Sequence, residues 1–329
     1  MNALDPDFNP FRTLTPREFD AQAMHLFEYQ YDANPVYRAF CDHLNRGPKR
    51  IQSCIDIPHL PISFFKSHAV QAFTGTAEQV FTSSGTTGAQ TSKHFVKSLT
   101  TYERSFRLGF ERAYGEVTNY AVLCLLPAYG EREGSSLVYM AQDLIVRSQH
   151  PASGFYLHDR KSLANQLKAL ETAGQPTLLL GVSFALLDLA AEFPMALRHT
   201  LIMETGGMKG RRKEMIREEL HQHLQNAFQL DQIHSEYSMT ELLSQAYSQG
   251  SGIYHPPPWM RVSARDPEDA LSRQKPGRTG GLNIIDLANR DSCAFIATQD
   301  LGRVYEDGSF EVLGRFDHSD IRGCNLMAL

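Results

Sequence analysis

Apolar residues from Pro16 onward fall three or four positions apart: Phe19, Ala23, Leu26 and Phe27, with Gln30 in the same register, trace one face of a helix. Thr15 stands where an N-cap belongs, Pro16 suits the first helical position, and Glu18 completes a capping box. Asn34-Pro35 ends that helix, and a second, short one runs from Val36 to Leu44. The middle of the chain changes period. Ala121 to Leu126, Thr177 to Val182 and His199 to Met203 are short apolar runs that predict buried strands. Between them, Asp159 caps a helix running towards Gly174, and a short apolar helix follows Val182. Lys209 to Phe228 reads as a long amphipathic helix, and Asp231 to His234 leads into another strand. Apolar strands alternating with helices predict a parallel or mixed sheet covered on both faces.

The last third reads differently. His255-Pro256-Pro257-Pro258-Trp259 is a rigid loop and Gly277 to Gly281 is another. Short strands follow, with a hairpin across Asp307-Gly308, the dipeptide favoured in type I′ turns.

The composition, 42% hydrophobic and 21% charged over 329 residues, supports a packed core and excludes a disordered or low-complexity chain. The length suggests two domains, or one large α/β domain with a small appendage. A net charge of −5 argues against a large nucleic-acid surface, so no nucleic-acid partner is expected. No apolar run is long enough for a transmembrane helix, so no stable membrane insertion is expected. The N-terminus has no signal-peptide pattern, and the five cysteines show no CxxC spacing. The expected location is cytoplasmic, with reduced thiols and with Cys124 and Cys293 buried in strands.

Four segments carry chemistry. In Phe81-Thr82-Ser83-Ser84-Gly85-Thr86-Thr87-Gly88, the glycines let the backbone curl so that successive amides face one anion, and the hydroxyls add donors. By itself the segment is equally a Ser/Thr-rich surface turn. Ser235 to Glu241 follows a predicted strand. In it Tyr237 offers a flat face to a base, Thr240 a hydroxyl to phosphate, and Glu241 a hard oxygen to Mg²⁺. A capped helix start would explain that segment too. Asp300 stands at a strand end, where a carboxylate can accept two ribose hydroxyls or simply close a turn. Gly314-Arg315-Phe316-Asp317 lies just past the hairpin.

Taken together and in this order, the four segments resemble the adenylate-forming superfamily of acyl- and aryl-CoA ligases, luciferases and peptide-synthetase adenylation domains. The resemblance runs from about residue 80 to the C-terminus and is strongest to the LuxE-like acyl-protein synthetases. It implies an α/β fold, the large domain of the superfamily with mixed and parallel sheets covered by helices. Residues 1–80 would form a helical segment packed on that domain, 81–313 the adenylate-forming core, and 314–329 a truncated hinge or tail. Only 12 residues follow Asp317, so the C-terminal lid domain is expected to be absent or vestigial and CoA is not the expected acceptor.

The resemblance also assigns roles. ATP and Mg²⁺ are the implied cofactors. Ser83, Ser84, Gly85, Thr86, Thr87 and Gly88 would hold the departing phosphates, and Gly206 and Gly207 would form the turn beside the acyl and adenine pockets. Tyr237 would stack on adenine, Thr240 would bind the α-phosphate, Glu241 would ligate Mg²⁺, and Asp300 and Arg315 would fix the ribose. A fatty or aromatic carboxylic acid would be activated as acyl-adenylate. Cys324, six residues from the end with Arg322 nearby, would take the acyl group and pass it to an acyl reductase partner. Three departures stand out: Ser238 replaces the usual glycine, Thr91 stands where a phosphate-loop lysine is common, and the lid lysine has no counterpart. Two other readings share these residues: an aryl-acid adenylating enzyme of a phenazine-type pathway, and a non-catalytic protein that binds a nucleotide or acyl-adenylate.

Overall fold

The computed structural model describes residues 8–84, 90–206 and 215–316. Gly85, Thr86, Thr87, Gly88, Gly207 and Cys324, all singled out above, lie outside the described residues.

Helix α1 (Pro16–Ala33) starts as its sequence dictates. Thr15 Oγ1 accepts the Glu18 amide at 3.3 Å and Glu18 Oε2 accepts the Thr15 amide at 2.8 Å. Its buried face is Phe19, Ala23, Leu26, Phe27 and Gln30. Asn34 then turns the chain into α2 (Pro35–His43), its Oδ1 accepting the Val36 and Tyr37 amides at 3.0 Å each. After β1 (Leu60–Pro61) and the single turn α3 (Phe64–Ser67), strands β2 (Gln79–Thr82) and β3 (Lys93–Val96) pair antiparallel.

The α/β region follows as α4 (Leu99–Tyr114), β4 (Ala121–Leu125), α5 (Ser136–Ser148), β5 (Gly154–Phe155), α6 (Arg160–Ala173), β6 (Thr177–Val182), α7 (Ser183–Glu192), β7 (Thr200–Thr205), α8 (Arg217–Phe228) and β8 (His234–Tyr237). With β9 (Ala246–Ser248) these strands make a sheet in the order β5-β4-β6-β7-β8-β9, parallel except for its last pair. Burial on both faces explains the unbroken apolar runs. On β4, Ala121, Leu123 and Leu125 face a core with α6, α7 and α8, while Val122 and Cys124 face the core containing α4 and α5.

A second, largely antiparallel sheet contains β10 (Ile253–Tyr254), β11 (Met260–Arg265), β12 (Thr279–Asp286), β13 (Phe295–Val304) and β14 (Phe310–Arg315), in the order β10-β14-β13-β12-β11. Strand β1 joins the early half of β13 in parallel. Helices α1 and α2 pack here: Phe27 and Tyr37 both meet the Phe295 ring, and Tyr37 stacks on it at 5.9 Å. Buried amides finish the joint. Gln30 donates to the carbonyls of Asn289 and Arg290 and accepts the Ala294 amide, and Asn34 donates to the Ser292 carbonyl. Among the described residues, no helix is long and apolar enough to cross a membrane. Cys124 and Cys293 are buried, and burial pushes both thiols up.

Several local expectations are corrected. Helix α8 starts at Arg217 rather than Lys209; Ile216 is extended, and residues 207–214 lie outside the described residues. The strand expected over His199 to Met203 runs from Thr200 to Thr205, because Glu204 and Thr205 still pair with β6 and β8. The Gly277 to Gly281 loop is short: Gly280 and Gly281 belong to β12. A Cβ on Gly280 would lie 2.3 Å from the Arg265 carbonyl oxygen, and one on Gly281 would lie 2.5 Å from the Arg265 guanidinium carbon. Glycine is required there by close approach within a sheet, not by a turn. The hairpin at Asp307-Gly308 forms, but only Gly308 has positive φ. The Gly308 amide bonds to the Tyr305 carbonyl and the Tyr305 amide to the Ser309 carbonyl. That is a three-residue loop ending in a left-handed glycine rather than a type I′ turn.

Three imidazoles withdrawn from solvent, His234 only in part, predict how the fold responds to acid. Burial pushes the pKa of His59 down to about 3, with Arg273 adding repulsion, and that of His94 and His234 to about 4. A histidine whose folded pKa lies below its unfolded value binds fewer protons when folded. Its contribution is therefore complete above the unfolded pKa and is lost as pH falls from about 6.5 towards 4. Each fully buried imidazole should remove about 2 kcal/mol at pH 5. Glu236 and Asp286, whose carboxyls burial pushes up, act in the opposite sense. The expected result is that His59→Phe loses about 2 kcal/mol less between pH 7 and pH 5 than the unmutated chain. Urea unfolding at the two pH values measures it, and equal losses would refute the assignment.

Candidate active site

The predicted segments converge on the line where the two sheets meet. Strand β8 ends at Tyr237, and the chain turns at once through Met239, Thr240 and Glu241, with the Leu242 amide bonded to the Met239 carbonyl. Three buried side chains hold this turn. Asp286, at the end of β12, accepts the Leu243 and Ser244 amides at 2.9 and 3.0 Å and the Ser244 hydroxyl at 2.6 Å. Asn289 donates to the Glu241 carbonyl at 2.8 Å and to the Cys293 carbonyl at 3.0 Å. His94, on β3, donates from Nδ1 to the Thr240 carbonyl at 2.8 Å, and its Nε2 lies 3.1 Å from Asn289 Oδ1. The Glu241 side chain is buried.

The His94 contact ties β3 to the second motif. Its strand is one arm of the hairpin whose tip carries the Ser/Thr/Gly segment. The bases of that tip are fixed: Ser83 Oγ accepts the Ser92 amide at 3.0 Å, the Ser83 amide bonds to the Ser92 carbonyl, and the Thr82 amide bonds to the Gly134 carbonyl. Ser84 is exposed beside it.

The third and fourth motifs meet the second at Asp300. Tyr237 donates its hydroxyl to Asp300 Oδ2 at 2.8 Å, and Arg315 Nε lies 3.3 Å from Asp300 Oδ1. Asp300 and Arg315 are register partners on β13 and β14, with a bulge next to them. The Tyr237 ring sits against Tyr254 and Phe310, and burial together with the neighbouring carboxylate holds its hydroxyl far above the usual range. Gly206, with φ +71°, ends β7, and its carbonyl accepts the Ser183 hydroxyl at 2.9 Å.

Sequence reasoning missed His94, Asn289 and Asp286, because the turn residues they hold, Thr240, Glu241, Leu243 and Ser244, lie more than forty positions away in the chain. It also missed Arg265. This guanidinium crosses the second sheet, bonding the carbonyls of Leu282 and Thr298 and the side chain of Asn283, with Phe316 under it at 5.4 Å. The Gly280-Gly281 pair inside an apolar strand was the signal for it. Arg217 binds the two sheets together, reaching the Val312 carbonyl at 2.8 Å and Glu204 at 3.6 Å. Under the Tyr237 strand, Thr205 donates to Glu236, whose carboxyl burial pushes up.

Among the described residues no group of three or more His, Cys, Asp or Glu side chains could hold a metal ion. The buried Glu241 carboxylate is a hard oxygen donor of the kind that suits Mg²⁺.

Solved structures share this architecture. A 2-hydroxyisobutyryl-CoA ligase, solved in a postadenylation state, matches with a TM-score of 0.65 at 12% identity, covering 96% of this chain and 73% of that one. ATP-bound MatB from Rhodopseudomonas palustris matches with a TM-score of 0.55 at 18% identity over 74% of this chain; the chain spans about half of MatB, 49%. The fold is that of the adenylate-forming ligases. The family model for the acyl-protein synthetase LuxE matches residues 152–328, and the chain belongs to that family. Two curated relatives carry the name long-chain-fatty-acid–luciferin-component ligase. The one from Vibrio harveyi is 25% identical, covering 91% of this chain and 84% of its own. The one from Aliivibrio fischeri is also 25% identical, over 93% and 86%.

Proposed function

We propose that the chain activates a fatty acid with ATP as acyl-adenylate and then carries the acyl group as a thioester on Cys324. The observation that carries the reading is that the Tyr237–Glu241 segment is tied to β3 through His94–Thr240 and to the third and fourth motifs through Tyr237–Asp300–Arg315. The names of the two relatives support a long-chain fatty acid as the substrate class.

In the first half-reaction a carboxylate oxygen attacks the α-phosphorus and pyrophosphate leaves. Such chemistry needs positioning and charge neutralisation more than covalent help. Asp300, held by Tyr237 and Arg315, accepts the ribose hydroxyls, and Tyr237 borders the base. Thr240 donates to the α-phosphate, and Gly206 with Gly207 lines the acyl side. The Ser83–Gly88 loop, with amides and hydroxyls, receives the leaving phosphates. Mg²⁺ bound at Glu241 supplies neutralisation of phosphate charge. In the second half-reaction the Cys324 thiolate attacks the acyl carbonyl and AMP leaves with the carboxylate oxygen it gained.

The test is intact mass after incubation with ATP, Mg²⁺ and a panel of fatty acids. One acyl group should be added, be released by neutral hydroxylamine, and be missing in Cys324→Ser, which should still release pyrophosphate. An adduct that survives in Cys324→Ser would overturn the carrier role. Asp300→Asn keeps the side-chain shape but removes the charge that the ribose and Arg315 meet. It should raise the KM for ATP about fivefold with little change in melting temperature, because charge-assisted hydrogen bonds exceed neutral ones by about 1 kcal/mol. An unchanged KM would remove Asp300 from the nucleotide site.

A further inference from the structure

On the second sheet, away from the Thr240–Glu241 turn in sequence, a recess of about 650 Å³ is lined by four cationic side chains: Arg273, Lys275, Arg278 and Arg303. No carboxylate lines it. Its volume falls in the range of small-molecule sites. The chain as a whole is acidic, with a net charge of −5, so this grouping does not follow from a generally basic surface.

The cations are held in place by backbone. Lys275-Pro276-Gly277-Arg278 forms a tight turn: the Arg278 amide bonds to the Lys275 carbonyl at 3.1 Å, Pro276 fixes the second position, and Gly277 takes φ +75° at the third. These are the features of a type II turn. It sets Lys275 and Arg278 at its two ends. The Gly277 amide bonds to the Val304 carbonyl at 2.8 Å, which docks the turn beside Arg303 at the end of β13. Arg303 is oriented by Thr279 Oγ1 at 3.2 Å and by Glu311 at 2.9 Å. Arg273, Lys275 and Arg278 form no salt bridge among the described residues. Asp266, on the same loop, is already engaged by Gln274 and the Glu268 amide. Arg273 also feels the carboxylates of Asp20 and Asp56, whereas Lys275 and Arg278 have no ion pair among the described residues, so an anion in the recess meets a net positive field. A single carboxylate or monophosphate would leave most of the charge unmatched.

We propose that this recess binds a small polyphosphorylated anion, either a free polyphosphate or the polyphosphate tail of an ester. Binding there needs neither an acid nor turnover, so the proposal is tested apart from the adenylation reading.

Calorimetric titration of the full chain with inorganic tripolyphosphate and, separately, with ADP tests it, both without Mg²⁺. Arg273→Gln/Lys275→Gln/Arg278→Gln should weaken binding at least tenfold, and raising the salt should weaken binding to the unmutated chain. Pyrophosphate release by this variant should stay within twofold of the unmutated chain. Should the triple variant melt early, Lys275→Glu alone, at an exposed turn position, is expected to weaken binding at least threefold. Tighter binding of tripolyphosphate than of ADP identifies a free polyphosphate as the ligand, and the reverse identifies an ester. Affinities for both anions that do not change in either variant overturn the proposal.

Discussion

Glu241→Gln should lower ATP-dependent pyrophosphate release by about two orders of magnitude while the protein melts at nearly its original temperature. The carboxylate is buried in a turn whose backbone is fixed by Asp286, Asn289 and His94. Glutamine fills the same space and preserves the turn, but it offers a divalent cation a neutral oxygen. Removing one preorganised electrostatic contact costs about 2–4 kcal/mol of transition-state stabilisation. Raising Mg²⁺ should recover part of the loss, since weaker binding is offset by concentration. Release at the original rate and at the original Mg²⁺ dependence would separate Glu241 from the chemistry.

Asp286→Ala should be the most damaging single change to stability, at about 3–5 kcal/mol. One buried carboxylate accepts the amides of Leu243, Ser244 and Ala288 and the Ser244 hydroxyl. Alanine leaves all four donors in a place without water. Ser244 also accepts the indole N–H of Trp259 at 3.0 Å, so the loss spreads into the packing of a fully buried tryptophan. A large fall in the urea midpoint with an unchanged slope is the expected measurement. A shift below about 1 kcal/mol would mean that water replaces the carboxylate.

Glu241 and Asp286 were unequally visible in the sequence. Glu241 stood out because Tyr237 and Thr240, whose side chains suit the same nucleotide, lie within five positions of it. Local elements were visible for a similar reason. The Thr15–Glu18 capping box, the α1 face and the Asp159 cap are set by residues within one or two helical turns. Asp286 was invisible because Leu243 and Ser244, which it holds, lie more than forty positions away, and a carboxylate in an apolar strand carries no local mark of what it accepts. His94 and Thr240 are 146 positions apart, and Gln30 and Ala294 are 264 apart. The first eighty residues showed only helices at the level of sequence. In the structure Gln30 fixes the backbone of Asn289, and the Asn289 side chain fixes Glu241. Glycines misled where two physical reasons share one residue type. Gly308 supplies a positive φ, whereas Gly280 and Gly281 admit the atoms of a neighbouring strand.

The β13–β14 hairpin works as a ruler. Counted outward from the left-handed Gly308, Phe310 meets Val304 and Val312 meets Gly302. Leu313 is then the extra residue of the bulge, half exposed to solvent, and Gly314 and Arg315 resume pairing opposite Leu301 and Asp300. Side chains change face at every step along a strand. Arg315 therefore reaches Asp300 because of the number of residues between the turn and the bulge, and hardly because of which residues they are. Leu313 is half exposed, so replacing its side chain should disturb the hairpin little. Losing the residue or gaining a neighbour would send the guanidinium to the wrong side of the sheet while the core stayed intact. In this hairpin the count of residues matters more than their chemistry.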